Sequence, residues 1–468
     1  MSNLTKNVWL PELVYIGGEF RSNLALVCDD IGHVVGLMAA ADVSDHAHGP
    51  IIQLRNKAVL PGLVNAHSHA FQRLIRGRTE HRSRHSTDSF WTWRELMYAA
   101  ANRLGPDDVY AASRMAFVEM ALSGITSVGE FHYIHHSPDG QPYEDPNLLA
   151  REVVRAANDV GLRIALLRVA YERAGFQQEA NPLQLRFIET IGTYLKNLQQ
   201  LMGELDKPEM AWVGAAPHSV RAVSLDHLKA VNAFAREQNI PIHMHVAEQP
   251  AEVSACIEEY GRSPVALLDT EGLLSESFTA VHAIHVTPKA IGSIGRGRAQ
   301  VCACPTTERN LGDGVVPVDE YMQAGVPISL GTDSQTQIDL LEDARELEYH
   351  LRLQRKERNV LAPTNIDNPS LASRLFECAT VNGAKSIGFK GGLLEPGAPA
   401  DFFTVDLQDP SISGASVDDL LANVVFSLSR TAVKDVVVAG NRIVEDGRHR
   451  AQEEVVNKFK DLQVRLWG

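Results

Sequence analysis

Short apolar runs alternate along most of the chain with longer segments whose apolar residues recur at helical spacing. One such segment, residues 339–359, is charged apart from a single apolar stripe, which predicts an amphipathic helix. The stripe consists of Leu340, Leu341, Ala344, Leu347 and Leu351. The eight apolar runs are GLVNAHSH, ITSVGEFHY, LRIALLRVAY, AWVGAAPHS, IPIHMHVAE, FTAVHAIHV, AQVCACPTT and VPISLGTDS. Alternation of this kind implies parallel strands, and eight repeats predict an α/β fold of the (β/α)8 TIM-barrel type.

The two ends of the chain have a different sequence pattern, which predicts short strands separated by turn residues. Gly17-Gly18 and residues 30–32 predict hairpin turns near the start, and residues 439–441 predict another near the end. Neither end has enough strands for a stable sheet, so we expect both to pair in one small β-sandwich domain. The predicted division is a small domain from residues 1–60 and 391–468, the latter with a terminal helix, around a catalytic barrel at 61–390.

Composition and charge narrow the possible partners. The 468 residues are 44% hydrophobic and 22% charged, and 58 acidic against 44 basic residues give a net charge of −14. Such a surface repels phosphates and anionic lipids, so we expect neither nucleic acid nor a membrane as partner. There is no signal-peptide pattern and no run of the ~20 apolar residues that a membrane span needs. An anionic substrate would require arginines placed locally.

Cysteine usage favours a reducing compartment. Five cysteines, an odd number and widely scattered, predict reduced thiols and a cytoplasmic location. Cys302 and Cys304 alternate along one apolar run, and we interpret them as buried core residues rather than metal ligands.

Polar side chains end most of the eight runs, where a barrel carries its chemistry. His67 and His69 lie two positions apart, so both imidazoles project to the same side of the strand end. Two further runs end with His245 and Asp333. Nitrogen and carboxylate ligands of this kind suit zinc or another divalent transition ion. These four residues are therefore the candidate metal ligands.

The ordered motifs PGLVNAHSH, HMHVAE, VHAIH and GTDS, with EPGAPADF near the end, resemble the amidohydrolase superfamily and its metal-dependent deaminase branch. The resemblance covers nearly the whole chain. It implies that the four candidate ligands bind one divalent metal ion, for which we expect zinc, and that Asp333 also contributes to catalysis. It implies Glu248 as the proton shuttle and His282 as a neighbour of the reacting group. His243, on the opposite face of its strand, is expected to be structural.

The expected number of metal ions depends on whether a middle strand carries a lysine. Two-metal members of the superfamily bridge their ions with a carboxylated lysine from a middle strand. LRIALLRVAY and AWVGAAPHS contain no lysine, which favours a single ion.

Within the branch, HSHAFQR, DSFWTWRELMY, EFHYIHH, PHSVRAV, HVAEQPAEV and CPTTERNLGDG are similar to enzymes of histidine degradation that deiminate N-formimino-L-glutamate. This likeness implies a small dianionic substrate derived from an amino acid, converted to the formyl compound with release of ammonia. The residues implied to bind it are Gln72, Arg94, Tyr133, His218 and Arg221. Cationic, bidentate partners are what a dianion requires inside an acidic protein. The family also implies a homodimer.

Two alternatives and one departure accompany this interpretation. The first alternative is a deaminase of a neutral heterocycle such as guanine, cytosine or an adenosine derivative, whose substrate does not require two arginines. The other alternative is a non-catalytic barrel, against which the complete set of candidate residues argues. Gln335 stands where the likeness often has histidine, which bears on substrate fit. Residues 78–88, rich in histidine and arginine, are interpreted as a solvated loop, with a lid as the alternative.

Overall fold

The computed structural model describes residues 5–43, 49–81, 89–179, 181–205, 209–364 and 370–468. Most of the histidine- and arginine-rich loop predicted at residues 78–88 lies outside these ranges. Among the described residues, no helix is both long and apolar enough to cross a membrane.

Eight parallel strands, β6 to β13, form the predicted barrel, and each arises from one of the eight apolar runs. They are β6 (Leu63–Ser68), β7 (Ile125–His132), β8 (Arg163–Ala170), β9 (Ala211–Pro217), β10 (Ile242–Val246), β11 (Phe278–His282), β12 (Gln300–Ala303) and β13 (Ile328–Leu330). Nearly every residue of these strands is buried, because helices cover the barrel outside and side chains fill it inside.

Fifteen described α-helices surround and flank the barrel. They are α1 (Phe90–Ala101), α2 (Pro106–Ala121), α3 (Leu148–Val160), α4 (Ile191–Glu204), α5 (Leu225–Gln238), α6 (Pro250–Tyr260), α7 (Pro264–Thr270), α8 (Pro288–Arg296), α9 (Pro305–Leu311), α10 (Val318–Gln323), α11 (Leu340–Arg355), α12 (Leu371–Cys378), α13 (Val381–Ser386), α14 (Leu420–Ser427) and α15 (Gln452–Trp467). Short 3-10 helices occupy Ala40–Asp42, Ala70–Ile75, Pro182–Phe187 and Arg430–Ala432.

The remaining strands form a nine-stranded mixed sheet from both ends of the chain. They are β1 (Thr5–Ile16), β2 (Glu19–Ser22), β3 (Leu24–Asp29), β4 (Val34–Ala39), β5 (Ile51–Pro61), β14 (Phe402–Asp406), β15 (Val433–Val438), β16 (Asn441–Glu445) and β17 (Arg448–His449). The order is β17-β16-β15-β14-β5-β1-β3-β4, with β2 on β1. The antiparallel β5–β14 pair joins the two ends of the chain in one sheet. This agrees with the prediction that neither end has enough strands to form a stable sheet alone.

Local predictions about turns and core residues are confirmed. Gly17 and Gly18, both with positive φ, connect β1 to β2, and Ala439-Gly440 connects β15 to β16 in the same way. The predicted apolar stripe is the buried face of α11. That face also buries the carboxylate of Glu348, which the apolar pattern does not reveal. All five cysteines are buried.

Candidate active site

The end of β6 supplies two histidines to one small volume. His67 and His69 lie with their Nε2 atoms 3.4 and 3.2 Å from Oδ1 of Asp333. Ser68, between them, points the other way and donates to the buried Glu130 carboxylate at 2.5 Å. Alternation along the strand thus places the two imidazoles together, as predicted.

His245, from β10, completes the cluster. Its Nε2 lies 3.2 Å from Nε2 of His67. Ligand atoms of the four predicted residues all lie within 4.8 Å of one another, and all four residues are buried. The cluster therefore joins side chains from the ends of three segments that are distant in sequence.

The hydrogen bonds of two rings direct their lone pairs into this cluster. Nδ1 of His69 donates to the Phe131 carbonyl at 2.9 Å, and Nδ1 of His245 donates to the His218 carbonyl at 3.1 Å. With the proton on Nδ1, each Nε2 presents a lone pair toward Asp333. Burial lowers the pKa of His67 to about 3 and holds that of His245 well below its usual value. Neutral imidazole lone pairs converging on a carboxylate fit a divalent cation.

The segment after β13 holds Asp333 in an unusual backbone conformation. Asp333 has φ of +45°, in the left-handed region that costs a non-glycine residue about 1 kcal/mol or more. Thr332 is fixed by two hydrogen bonds to the Asn65 side chain, at 2.7 and 3.0 Å. At Gly331 a Cβ atom would lie 2.7 Å from Cβ of His67, so only glycine allows this approach. The strain is maintained by packing directly against β6.

Gln335, the departure from the expected histidine, lies behind the cluster rather than in the pocket. Its Nε2 donates to Ser68 Oγ at 2.8 Å, and its Oε1 accepts from Thr332 Oγ1 at 3.0 Å. The side chain is fully buried. Gln335 therefore ties the strand that carries two histidines to the segment that carries Asp333, and it has no place among the pocket residues.

Two further predicted residues face the cluster. Glu248 follows β10 and His282 ends β11, and Nε2 of His282 lies 3.9 Å from Oε1 of Glu248 and 3.9 Å from Oδ2 of Asp333. Burial raises the pKa of Glu248, which favours a carboxyl group able to hold a proton. His282 itself has φ of +69°, a second strained residue beside the cluster.

A pocket of about 40 Å³ adjoins the cluster, and it is lined by each of the five residues predicted to bind substrate. These are Gln72, Arg94, Tyr133, His218 and Arg221. Arg94 and Arg221 also line a wider outer cleft of about 560 Å³, so the two guanidinium groups stand between the pocket and the outside.

Aromatic side chains hold the two arginines. Arg94 donates to the Tyr171 hydroxyl at 3.0 Å, and its guanidinium carbon lies 5.0 Å from the Tyr98 ring centre. The Trp91 ring is shared, because the guanidinium carbons of Arg94 and Arg221 lie 5.6 and 5.9 Å from its centre. Nη1 of Arg221 is buried with no hydrogen-bond partner among the described residues. A donor in that state is available to an incoming anion.

The positive charges of the arginine pair lower the pKa of a neighbouring tyrosine hydroxyl. Burial alone would raise the pKa of Tyr171, but Arg94 and Arg221 bring it below its ordinary value. The sequence patterns assign neither Tyr171 nor Tyr98 to the site. Tyr171 ends the third apolar run, where a barrel carries its chemistry, whereas Tyr98 ends the motif DSFWTWRELMY inside a helix.

The remaining residues predicted to bind substrate, Gln72, Tyr133 and His218, line the same pocket. Gln72 donates to the Tyr133 hydroxyl at 3.0 Å, while its Oε1 is buried without a partner among the described residues. The His218 ring centre lies 4.8 Å from that of Tyr171 and 4.9 Å from that of His245. His243 points away from the cluster, with Nε2 2.8 Å from the Ser386 carbonyl, which is the structural position expected for it.

Comparison with known sequences agrees with this geometry. Residues 58–443 match the family model described as Amidohydrolase family. The formimidoylglutamate deiminase of Pseudomonas aeruginosa is 37% identical over 420 residues, which are 90% of this chain and 92% of that protein. The 5-methylthioadenosine/S-adenosylhomocysteine deaminase of Pyrococcus abyssi is 28% identical over 420 residues, 88% of this chain and 89% of that protein.

Solved structures share the fold over the full length. An amidohydrolase from Brucella melitensis superposes with a TM-score of 0.90 and 32% identity, covering 99% of this chain and 100% of that one. An adenosine deaminase from Xanthomonas campestris with bound zinc has a TM-score of 0.83 at 21% identity, covering 99% of each chain. The second likeness establishes the fold alone.

Proposed function

The chain belongs to the amidohydrolase family and is a hydrolase of C–N bonds, and from this premise we propose that it converts N-formimino-L-glutamate to N-formyl-L-glutamate and ammonia. The formimidoylglutamate deiminase of Pseudomonas aeruginosa, at 37% identity, supports this substrate. We further propose that the reaction is a step of histidine degradation and that the enzyme acts in the cytoplasm as a homodimer.

The observation that carries the proposal is the pair of guanidinium groups beside the four-residue cluster. Arg94 and Arg221 line the pocket in a chain whose net charge is −14. Arg221 is buried and Arg94 is half-buried. Withdrawing cations from water is costly unless an anion pairs with them, and a substrate with two carboxylates is such a partner. The buried, unpartnered Nη1 of Arg221 is a specific place for one carboxylate oxygen.

We propose one divalent ion, zinc, held by His67, His69, His245 and Asp333, because imidazole nitrogen and carboxylate ligands suit that ion. When bound, such an ion acts as a Lewis acid and makes water a nucleophile near neutral pH. The donor set described above fits this ion because its lone pairs converge on one point.

The side chains around the cluster account for the proton transfers. Water adds to the formimino carbon while Glu248 takes one of its protons and passes it to the terminal nitrogen, which leaves a tetrahedral carbon carrying a hydroxyl and an NH2 group. A carboxylate, Glu248 or Asp333, then moves the hydroxyl proton to that nitrogen, the C–N bond breaks, and ammonia leaves as the carbonyl of the formyl group forms. General acid–base assistance of this kind contributes roughly 10²–10⁴-fold. His282, 3.9 Å from Glu248, is placed to hydrogen bond to the attacking oxygen.

The arginines and their neighbours orient the substrate. Arg94 and Arg221 hold the two carboxylates, Gln72 and Tyr133 contact the glutamate part, and His218 lies between that part and the cluster. Such orientation matters because an error of about 1 Å at the reacting carbon costs about 10²-fold in rate.

Deamination of an adenosine derivative is the second candidate, since the Pyrococcus abyssi relative is named for 5-methylthioadenosine and S-adenosylhomocysteine. Methylthioadenosine is neutral and offers no carboxylate to Arg94 or to the unpartnered Nη1 of Arg221, which disfavours it here. A non-catalytic barrel is a weaker candidate, because no structural role requires three buried imidazoles to cluster around a carboxylate.

The test is ammonia release by the metal-loaded protein from a panel of N-formimino-L-glutamate, guanine, cytosine and 5-methylthioadenosine. We expect turnover of N-formimino-L-glutamate with kcat/KM at least 10²-fold above that of the other three. The Glu248→Gln variant, purified in parallel, reports ammonia from contaminating enzymes. Preference for any of the three heterocycles would refute the proposed substrate, and a protein without bound metal or turnover would favour the scaffold.

A further inference from the structure

A buried carboxylate next to the site has no role in the mechanism above. Glu308 lies in α9, in the first turn after β12, and is 2% exposed. It lies in the motif CPTTERNLGDG, and the neighbouring residues of that motif do not explain why an acidic residue stands at this position. Charged side chains are rarely buried to this degree without a partner, so the groups that contact the Glu308 carboxylate indicate its role.

Glu308 contacts the edge of the His282 ring that carries Nδ1. Its Oε1 lies 3.2 Å from Nδ1 of His282 and accepts from the backbone N–H of Cys304 at 2.9 Å. A carboxylate oxygen that accepts from a backbone N–H has no proton to offer, so Nδ1 of His282 carries a proton and donates it to Glu308.

The opposite edge of the same ring faces the chemistry. Nε2 of His282 lies 3.9 Å from carboxylate oxygens of both Glu248 and Asp333. The ring also stacks on that of His245, with centres 5.5 Å apart and planes 16° from parallel. Glu308 therefore determines which nitrogen of His282 is turned toward the reacting atoms.

We infer that Glu308 is a positioning residue for His282: it holds a proton on Nδ1 and keeps Nε2 directed at the space between Glu248 and Asp333. A carboxylate suits this task because its hydrogen bond to an imidazole N–H is stronger than that of a neutral acceptor. This role rests on the proposed function, since His282 acts there on the attacking oxygen. It does not require a particular substrate.

A second interpretation of the same atoms is a metal site. His282, Cys304 and Glu308 offer ligand atoms within 4.8 Å of one another. The hydrogen bonds from His282 and from the Cys304 backbone already satisfy Oε1 of Glu308, which favours the positioning role. Metal analysis separates the two: one ion per chain, unchanged in Cys304→Ala, supports positioning, whereas two ions, of which Cys304→Ala loses one, would overturn it.

The decisive experiment is a double-mutant cycle with Glu308→Gln, His282→Ala and the double variant. We expect Glu308→Gln to lower kcat about 10- to 100-fold with KM and metal content unchanged. In the His282→Ala background, the same change should alter kcat less than about 2-fold, because Glu308 acts through the ring. Equal factors in both backgrounds, or a change confined to KM or to the melting temperature, would overturn the inference.

A matched control tests whether neutralising any buried carboxylate has this effect. Glu348 is equally buried in α11, where it accepts from the backbone N–H groups of Val360 and Leu361, both at 3.0 Å. Glu348→Gln should reduce stability and leave kcat unchanged. A fall in kcat equal to that of Glu308→Gln would mean that the loss is not specific to His282.

The cycle uses whichever panel compound releases ammonia, so a wrong substrate and a wrong role for Glu308 give different results. A crystal structure of metal-loaded Glu308→Leu provides a readout that needs no turnover. We expect the His282 ring to rotate and Nε2 to leave its position 3.9 Å from Glu248. A ring that stays in place would overturn the inference even if no substrate is found.

Discussion

His67 and Asp333 are joined twice, once through the backbone and once through the side chains. The Asp333 amide donates to the His67 carbonyl at 3.0 Å, and Oδ1 of Asp333 lies 3.4 Å from Nε2 of His67. The Asp333 carbonyl in turn accepts from the His69 amide at 3.0 Å. The contact that closes the barrel between its first and last strands is therefore also the contact that assembles the candidate metal ligands.

Two histidines of the same strand provide a direct test of the ligand set. His245 faces the cluster and His243 faces the Ser386 carbonyl on the other side of β10. His245→Asn should lower bound metal by at least 10-fold, measured by plasma emission after dialysis. His243→Asn should keep one ion per chain and lose only the roughly 1–3 kcal/mol of a buried hydrogen bond. Equal metal loss in both variants would contradict the assigned ligands.

Glu248 separates metal binding from turnover. Glu248→Gln keeps the size of the side chain and removes its capacity to move a proton, so metal content should stay at one ion per chain. We expect kcat to fall by about 10²–10⁴-fold with the substrate that gives ammonia. Ammonia release within a few-fold of the unchanged protein would rule out the proton-shuttle role.

The arginine pair tests the substrate class. Arg94→Met and Arg221→Met each remove a charged hydrogen-bond donor worth about 1.5–3 kcal/mol, which predicts kcat/KM lowered roughly 10- to 150-fold, mainly through KM. Arg114→Met is the control, because Arg114 pairs with Glu454 at 3.1 Å, away from both the inner pocket and the outer cleft. An unchanged KM in the first two variants would mean that the substrate carries no carboxylates at these positions.

Much of the barrel and its four-ligand cluster could be predicted from the sequence. Continuous apolar runs fix buried strands, and period-two alternation fixes which side of a strand end His67 and His69 occupy. Glu308 and Tyr98 could not be predicted in this way, because each lies in a helix and reaches the site only through the way that helix packs. The burial of Glu348 does not follow from the apolar pattern either. Its partner Arg352 lies four residues further along the same helix, but its other partners are backbone N–H groups of a later loop.

Gln335 shows how a departure from an expected motif can act outside the pocket. Its amide bonds to Ser68 and to the Asp333 carbonyl, at 2.8 and 3.1 Å, and so supports the ligands from behind. Gln335→Leu keeps the volume but removes these two bonds and the one that Gln335 accepts from Thr332. We expect metal affinity to fall about 10- to 100-fold, as it does when residues that hydrogen bond to metal ligands are lost. KM should remain unchanged at saturating metal, because Gln335 does not line the pocket.

Competition with a fluorescent chelator measures that affinity directly. Thr336→Ala, one residue further along, is the control, since its hydroxyl bonds to Ser334 and Asn310 rather than to the strand carrying the histidines. Metal affinity reduced equally in both variants would show that the loop as a whole matters. A raised KM with normal metal affinity in Gln335→Leu would instead place Gln335 in substrate recognition, contrary to its position behind the cluster.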